Sequence, residues 1–321
     1  MFSPILAMHI PDGFVSLPVG AFGWLLLVLL LAVALRQTRQ QLDERQIPLI
    51  GVLAAFIFAA QMINFLVAGG TSGHLLGGAL IAILLGPWAS LLVMTSVLAV
   101  QALVFQDGGL VALGFNAINM GVIAPFVAYA VYRLSQRVLG SSRSAQIGGA
   151  AFAAWVSVIL AAAAASVELA ASNTAALSIA LPAMVSVHML IGIGEALITV
   201  AALSFIRQVR PDLILGSGAK SAAGSGWIAA GLVLALAITL ISPLADPNPD
   251  GLERVAEDQG FIEAAQEPAF NLLPDYTVPL IENEAASTIA AGIIGTLIVA
   301  GVGFVVARTA RRSDGQRGGT A

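Results

Sequence analysis

Histidine occurs three times in this chain, at His9, His74 and His188, and cysteine does not occur at all. Disulfides, thiolate metal sites and cysteine nucleophiles are therefore excluded, and metal chemistry must rest on nitrogen and oxygen donors. Three short stretches hold the residues that could do chemistry. The first is MHIPDGF at 8–14, and the second is GGTSGHLLGG at 69–78. His9 and His74 are 65 residues apart in sequence, so only the fold can bring them together. Two imidazoles at one aqueous vestibule suit Ni²⁺, Co²⁺, Cu²⁺ or Zn²⁺; each could equally cap a helix or bond a carbonyl. The third stretch, SVHMLIGIGEALIT at 186–199, places His188 and Glu195 seven residues apart on nearly one helix face. An ionisable residue inside an apolar span marks a functional site by default, although Glu195 could also simply tie two helices together.

The elements that must position these residues are membrane helices. Of 321 residues, 58% are hydrophobic and 10% are charged, and the mean hydropathy is +0.93. Soluble domains carry roughly 25% charged residues, so a water-soluble enzyme is excluded. The net charge of −4 gives no reason to expect nucleic-acid binding. Apolar runs at 18–35, 48–68, 88–105, 110–133, 147–168, 178–206, 226–244 and 287–307 are long enough, or nearly so, to cross a core ~30 Å thick. A further run at 75–86, bracketed by Gly73-His74 and Gly86-Pro87, reads as a half-length helix entered through a loop that dips into the membrane. The expected fold is all-α: a polytopic bundle of nine membrane segments, seven in a core and two in an accessory module.

Charge sets the expected orientation. Arg36, Arg39 and Arg45, Arg133, Arg137 and Arg143, Arg207, Arg210 and Lys220, and Arg308, Arg311, Arg312 and Arg317 all fall on one side of nine crossings. Only Arg254 falls on the other. The positive-inside rule makes the basic side cytoplasmic, with the N-terminus outside and the C-terminus inside. The stretch 245–286 carries ten acidic residues and several prolines, and reads as a loop-rich extracytoplasmic insert. Residues 211–225, rich in Gly and Ser, read as a cytoplasmic linker. His9 and His74 then share the outer face. MFSPILA at 1–7 lacks the basic start and apolar core of a secretory signal.

Other chemistry is open on these residues. Gly70-Thr71-Ser72-Gly73 matches the GxSG pattern of rhomboid-like intramembrane serine proteases, with His188 as a distant base. Such a match is common in a glycine-rich chain, and it leaves His74 without a role. A secondary cation carrier using Glu195 as an ion or proton relay is a further reading.

Three pieces in order, MHIPDGF at 8–14, QMIN at 61–64 with GGTSGHLLGG at 69–78, and HMLIGIGEALIT at 188–199, make the chain resemble the CbiM/NikM substrate-binding membrane components of energy-coupling factor transporters for cobalt and nickel. Pro249-Asp250-Gly251-Leu252-Glu253 resembles the PDGLE signature of their small two-helix companion, here fused. The resemblance implies a core at 8–210 and an accessory module at 226–321. It implies Ni²⁺ or Co²⁺ as cargo, with no organic cofactor, held by the Met8 amine, the His9 amide and ring nitrogens and the His74 ring. Asp12, Asn64, Thr71 and Ser72 are the polar residues expected to support these ligands. Because Met8 offers an amine only as a first residue, the expected true start of the chain is Met8, with MFSPILA upstream of it; processing before Met8 is the alternative. No phosphate-binding GxxxxGK[ST] loop is present. The resemblance supplies that function through a coupling transmembrane subunit (CbiQ/NikQ-like) and cytoplasmic ATPases (CbiO/NikO-like), all in a cytoplasmic (inner) membrane. Cobalt as cargo would lead towards cobalamin synthesis.

Overall fold

The computed structural model describes residues 8–41, 46–140, 142–214 and 226–312. The expected start at Met8, most of the linker and the C-terminal tail concern residues 1–7, 215–225 and 313–321, which lie outside these. The fold is all-α: α1 Leu17–Gln41, α2 Gln46–Gln61, α3 Gly78–Leu85, α4 Pro87–Val100, α5 Leu113–Ile118, α6 Ala124–Leu139, α7 Arg143–Ala171, α8 Leu177–Val209, α9 Gly226–Leu240, α10 Gly251–Gln259 and α11 Glu284–Arg312. Among the described residues, six helices are long and apolar enough to cross a membrane, and α2 and α9 are shorter apolar helices. The protein is a multi-pass membrane protein. Large apolar side chains such as Phe22, Leu25, Val28 and Leu29 stand exposed along α1, where lipid rather than water is the solvent.

α3 is the centre of the bundle. Each of its eight residues is buried, and it packs against α4, α6, α7 and α8. At 1.5 Å per residue it is about 12 Å long, too short to span. The apolar run at 75–86 thus contains a half-helix at 78–85, entered through a loop. The run at 48–68 behaves differently. Its helix stops at Gln61, and Phe65–Leu66 pairs antiparallel with Ser72–Gly73 in a two-residue ribbon, β1 and β2. The apolar residues after Gln61 belong to this hairpin because its backbone groups find partners outside any helix: Ser72 N–H donates to Pro249 O at 2.9 Å, and Asp246 N–H donates to Asn64 O at 2.9 Å.

Two π-turns, Gln101–Phe105 and Asn119–Ile123, interrupt the long helices on either side of the next loop. Such insertions turn side chains off the regular helix face. Here they place Gln101 and Asn119, both buried, towards the bundle interior. The insert after α9 is not all loop, since α10 forms from Gly251 under an Asp250 N-cap. α9 and α11 pack on α2, and α10 packs on α8. At the opposite end of the bundle, Arg39 Nε donates to Ala310 O and the Arg210 guanidinium lies over Trp227.

Candidate metal site

The first described residues run as a strap across the 106–116 loop. Asp12 accepts from the N–H groups of Leu110 (3.0 Å), Val111 (2.8 Å) and Ala112 (3.3 Å), just ahead of α5. The Asn116 side-chain amide pairs with both backbone groups of Ile10, and Gly109 N–H also donates to Ile10 O. Gly108 takes φ +89°, and a Cβ there would sit 3.0 Å from His9 Cβ, so only glycine lets the strap lie this close. Thr174, from the α7–α8 turn, ties the far end of the strap through Phe14 O.

The strap delivers His9 to His74. Their ring centroids are 5.3 Å apart at 75°, and both rings are buried. A cavity of about 80 Å³ is lined by Met8, His9, His74, Asn116, His188 and Asp250, among others. Organic-ligand pockets are several-fold larger, so the space suits an ion. His74 Nδ1 faces Leu75 O at 3.1 Å, and its Nε2 faces Met8 O at 2.9 Å.

His9 is oriented by a polar chain with a fixed direction. Gln61 Nε2 donates to the Leu76 carbonyl (3.1 Å), and Gln101 Nε2 donates to Gln61 Oε1 (2.9 Å). Gln101 thus turns Oε1 to His9 Nε2, 3.0 Å away. A carbonyl at one end can only accept, so each step is forced and His9 Nε2 must carry the proton. The lone pair is left on Nδ1, the ring nitrogen able to close a chelate with the residue's own amide nitrogen. An outer hydrogen bond of this kind usually fixes the tautomer of a metal-binding imidazole.

The Met8 backbone nitrogen donates to Asp107 Oδ1 (2.8 Å), and Tyr276 Oη donates to Asp107 Oδ2 (2.6 Å). Tyr276 stacks on Phe105 at 4.8 Å. Burial, with the Asp107 charge next, pushes the Tyr276 phenol well above its usual range.

Glu195 holds the other half of the site. Fully buried, it accepts from Leu76 N–H (2.6 Å) and Gly77 N–H (3.0 Å), the amides two and three residues after His74 that lead into α3. His188 Nδ1 instead bonds Met184 O in its own helix at 2.8 Å. His188 and Glu195 therefore act on different partners: one lines the cavity and the other clamps the loop. Ser72 Oγ donates to Asn248 O at 2.7 Å, and the bonds of His74 and His188 go to carbonyls, so among the described residues no histidine hydrogen-bonds this hydroxyl. Thr71 is buried, its carbonyl accepting from Val67 N–H, and Asn64 Oδ1 is buried with no hydrogen-bond partner among the described residues.

Met8, His9 and His74 thus meet at one cavity. Asp12 fastens the strap, while Ser72 and Asn64 bind the acidic insert through their side-chain or backbone groups. Gln101, Asp107 and Asn116 contact the strap and the His9 ring, and Gln61 backs Gln101; none of the four is among the site residues expected from the sequence. Polar residues inside apolar spans were the available signal. Among the described residues, no three His, Cys, Asp or Glu side chains gather closely enough to hold a metal. Two ring nitrogens need backbone or terminal donors to complete a site.

Comparison with known proteins agrees with this architecture. Residues 9–213 match the family described as CbiM, cobalt uptake substrate-specific transmembrane region, and residues 225–312 match the PDGLE domain. A chain of Archaeoglobus fulgidus, described provisionally as a fused nickel transport protein NikMN, is 39% identical over 95% of this chain and 99% of its own length. The fused nickel transport protein NikMN of Rhodobacter capsulatus is 31% identical over 92% of this chain and 96% of its own. A crystal structure of a truncated transition metal transporter superposes with TM-score 0.57 at 34% identity, over 63% of this chain and 99% of that one. The chain belongs to the CbiM family of metal-transport membrane components and continues, in the same polypeptide, into a PDGLE domain.

Proposed function

We propose that this chain captures Ni²⁺ or Co²⁺ at the outer face and passes it inward with an ATP-driven partner complex. The observation that carries the reading is the meeting of Met8 and the buried His9 and His74 rings at one small, partly open cavity. The proposed donors are the Met8 amine, the His9 amide nitrogen and Nδ1, and His74 Nε2. The Met8–His9 dipeptide closes fused five- and six-membered chelate rings, and His74 supplies the fourth nitrogen. A nitrogen plane suits Ni²⁺ and disfavours tetrahedral Zn²⁺. Cu²⁺ also favours such a plane, so metal supply shares in the selection. Names of full-length relatives lean the reading towards nickel.

In this reading, residues 8–210 form the capture core, 211–225 the linker and 226–321 the accessory module. The N-terminus lies outside and the C-terminus in the cytoplasm. The partners are a coupling membrane subunit and cytoplasmic ATPases of the energy-coupling factor type. The test is uptake of radioactive nickel into vesicles. Accumulation is expected only when the coupling and ATPase subunits are present with ATP inside reach of the nucleotide sites. Accumulation by this chain alone, driven by a proton gradient, would replace the reading with the secondary carrier.

A further inference from the structure

The accessory module reaches the capture site through its PDGLE segment, in which Pro249, Asp250 and Gly251 have visible tasks. Pro249 O accepts from Ser72 N–H at 2.9 Å, and Asn248 O accepts from Ser72 Oγ at 2.7 Å. These bonds fasten the insert to the hairpin that ends in His74. Gly251 lies against α8, where a Cβ would sit 2.6 Å from Ile191 Cδ1 and 3.0 Å from His188 Cε1. Asp250 caps α10, its Oδ1 accepting from Glu253 N–H at 2.9 Å.

That cap fixes the carboxylate plane and leaves Oδ2 facing His74 Nε2, 3.8 Å away. Asp250 is only 5% exposed and lines the same cavity as Met8 and His9. Its sole ion-pair partner among the described residues is His74, and no Lys or Arg is paired with it. A buried carboxylate without a cation is costly. Two donors at about 2.0–2.2 Å from one metal ion can lie up to about 4 Å apart, so the spacing allows both atoms to touch one ion.

We propose that Asp250 Oδ2 is an additional metal-contacting donor, an oxygen ligand that receives the incoming divalent cation and hands it to the nitrogen set. The inference rests on the capture reading above and deepens it. The fused module then supplies a first ligand on the admission path instead of solvated charge alone. No covalent bond is made or broken. The ion exchanges water for Asp250, then Asp250 for nitrogen.

Asparagine is as good an N-cap as aspartate, so Asp250→Asn keeps the turn through its remaining oxygen and puts an NH₂, which cannot bind a cation, in place of the metal-facing Oδ2. The experiment follows Ni²⁺ binding to full-length detergent-solubilised protein beginning at Met8, by stopped flow with NiCl₂ alone. Asp250→Asn should slow association by about tenfold or more, in the range that local fields impose on ion capture. The visible spectrum of the loaded site should stay unchanged, and Asp250→Glu should restore part of the rate. Association of Asp250→Asn at the wild-type rate would overturn the proposal. So would slowing in both Asp250→Asn and Asp250→Glu together with a changed spectrum, because that would mark a structural fault in the insert. Failure of the wild-type protein itself to retain nickel would instead remove the capture reading, and the two failures are distinguishable.

Discussion

Replacing His74 with alanine is expected to take nickel retention from about one ion per chain to none after desalting, with the protein still folded. Loss of partners that merely orient a ligand weakens metal binding by 10–100-fold, so loss of a ligand should exceed about 100-fold. The change is also mild for the fold. The His74 ring makes its bonds to Leu75 O and Met8 O, while the loop itself is held by Glu195 through Leu76 and Gly77. Isothermal titration with NiCl₂, beside a thermal melt without metal, separates the two effects. Unchanged nickel affinity in His74→Ala would remove the ring from the donor set.

The second large effect is expected from a residue that touches no ligand. Gln61 lies one step behind Gln101, yet it sets which end of the Gln101 amide faces His9. In Gln61→Leu, Gln101 is free to turn its NH₂ towards His9 Nε2. That nitrogen must then accept, and the proton moves to Nδ1, where the chelate needs a lone pair. Gln101→Leu removes the acceptor altogether. Both variants should bind nickel about 10–100-fold more weakly. ¹⁵N-histidine spectra of metal-free protein supply the readout that a packing defect would not move. The wild type should show His9 protonated at Nε2, and Gln61→Leu should show a shift towards Nδ1–H. An Nδ1–H tautomer in the wild type would break this account of the relay.

Much of this arrangement is legible in the sequence, and the reasons differ by element. The short run at 75–86 stands out because glycines close both ends and its length falls below that of a span. The histidines are conspicuous through scarcity alone. The end of α2 is not legible, because MINFLVA remains apolar after Gln61. The chain leaves the helix there to bond Asp246 and Pro249, some 180 residues on, and hydropathy carries no trace of such partners. Gln101 and Asn116 were hidden for a similar reason. A single polar residue in an apolar helix shows that something is satisfied, but the π-turns and the strap across 106–116 decide what it satisfies. Asp250 was visible as part of a motif within an acidic stretch. Its cap geometry and its distance from His74 exist only once the insert is folded onto the hairpin.

The proposed first donor is a free amine at Met8, and blocking that amine should empty the site. Protein beginning at Met8 and the same protein acetylated there would be loaded with equimolar Ni²⁺, Co²⁺, Cu²⁺ and Zn²⁺, desalted and assayed for metal. The free-amine protein should keep about one nitrogen-preferring ion per chain, chiefly nickel or cobalt with copper as competitor and little zinc. The acetylated protein should keep almost none. Equal retention by both proteins would contradict the amine–amide–imidazole chelate and place the metal elsewhere in the chain.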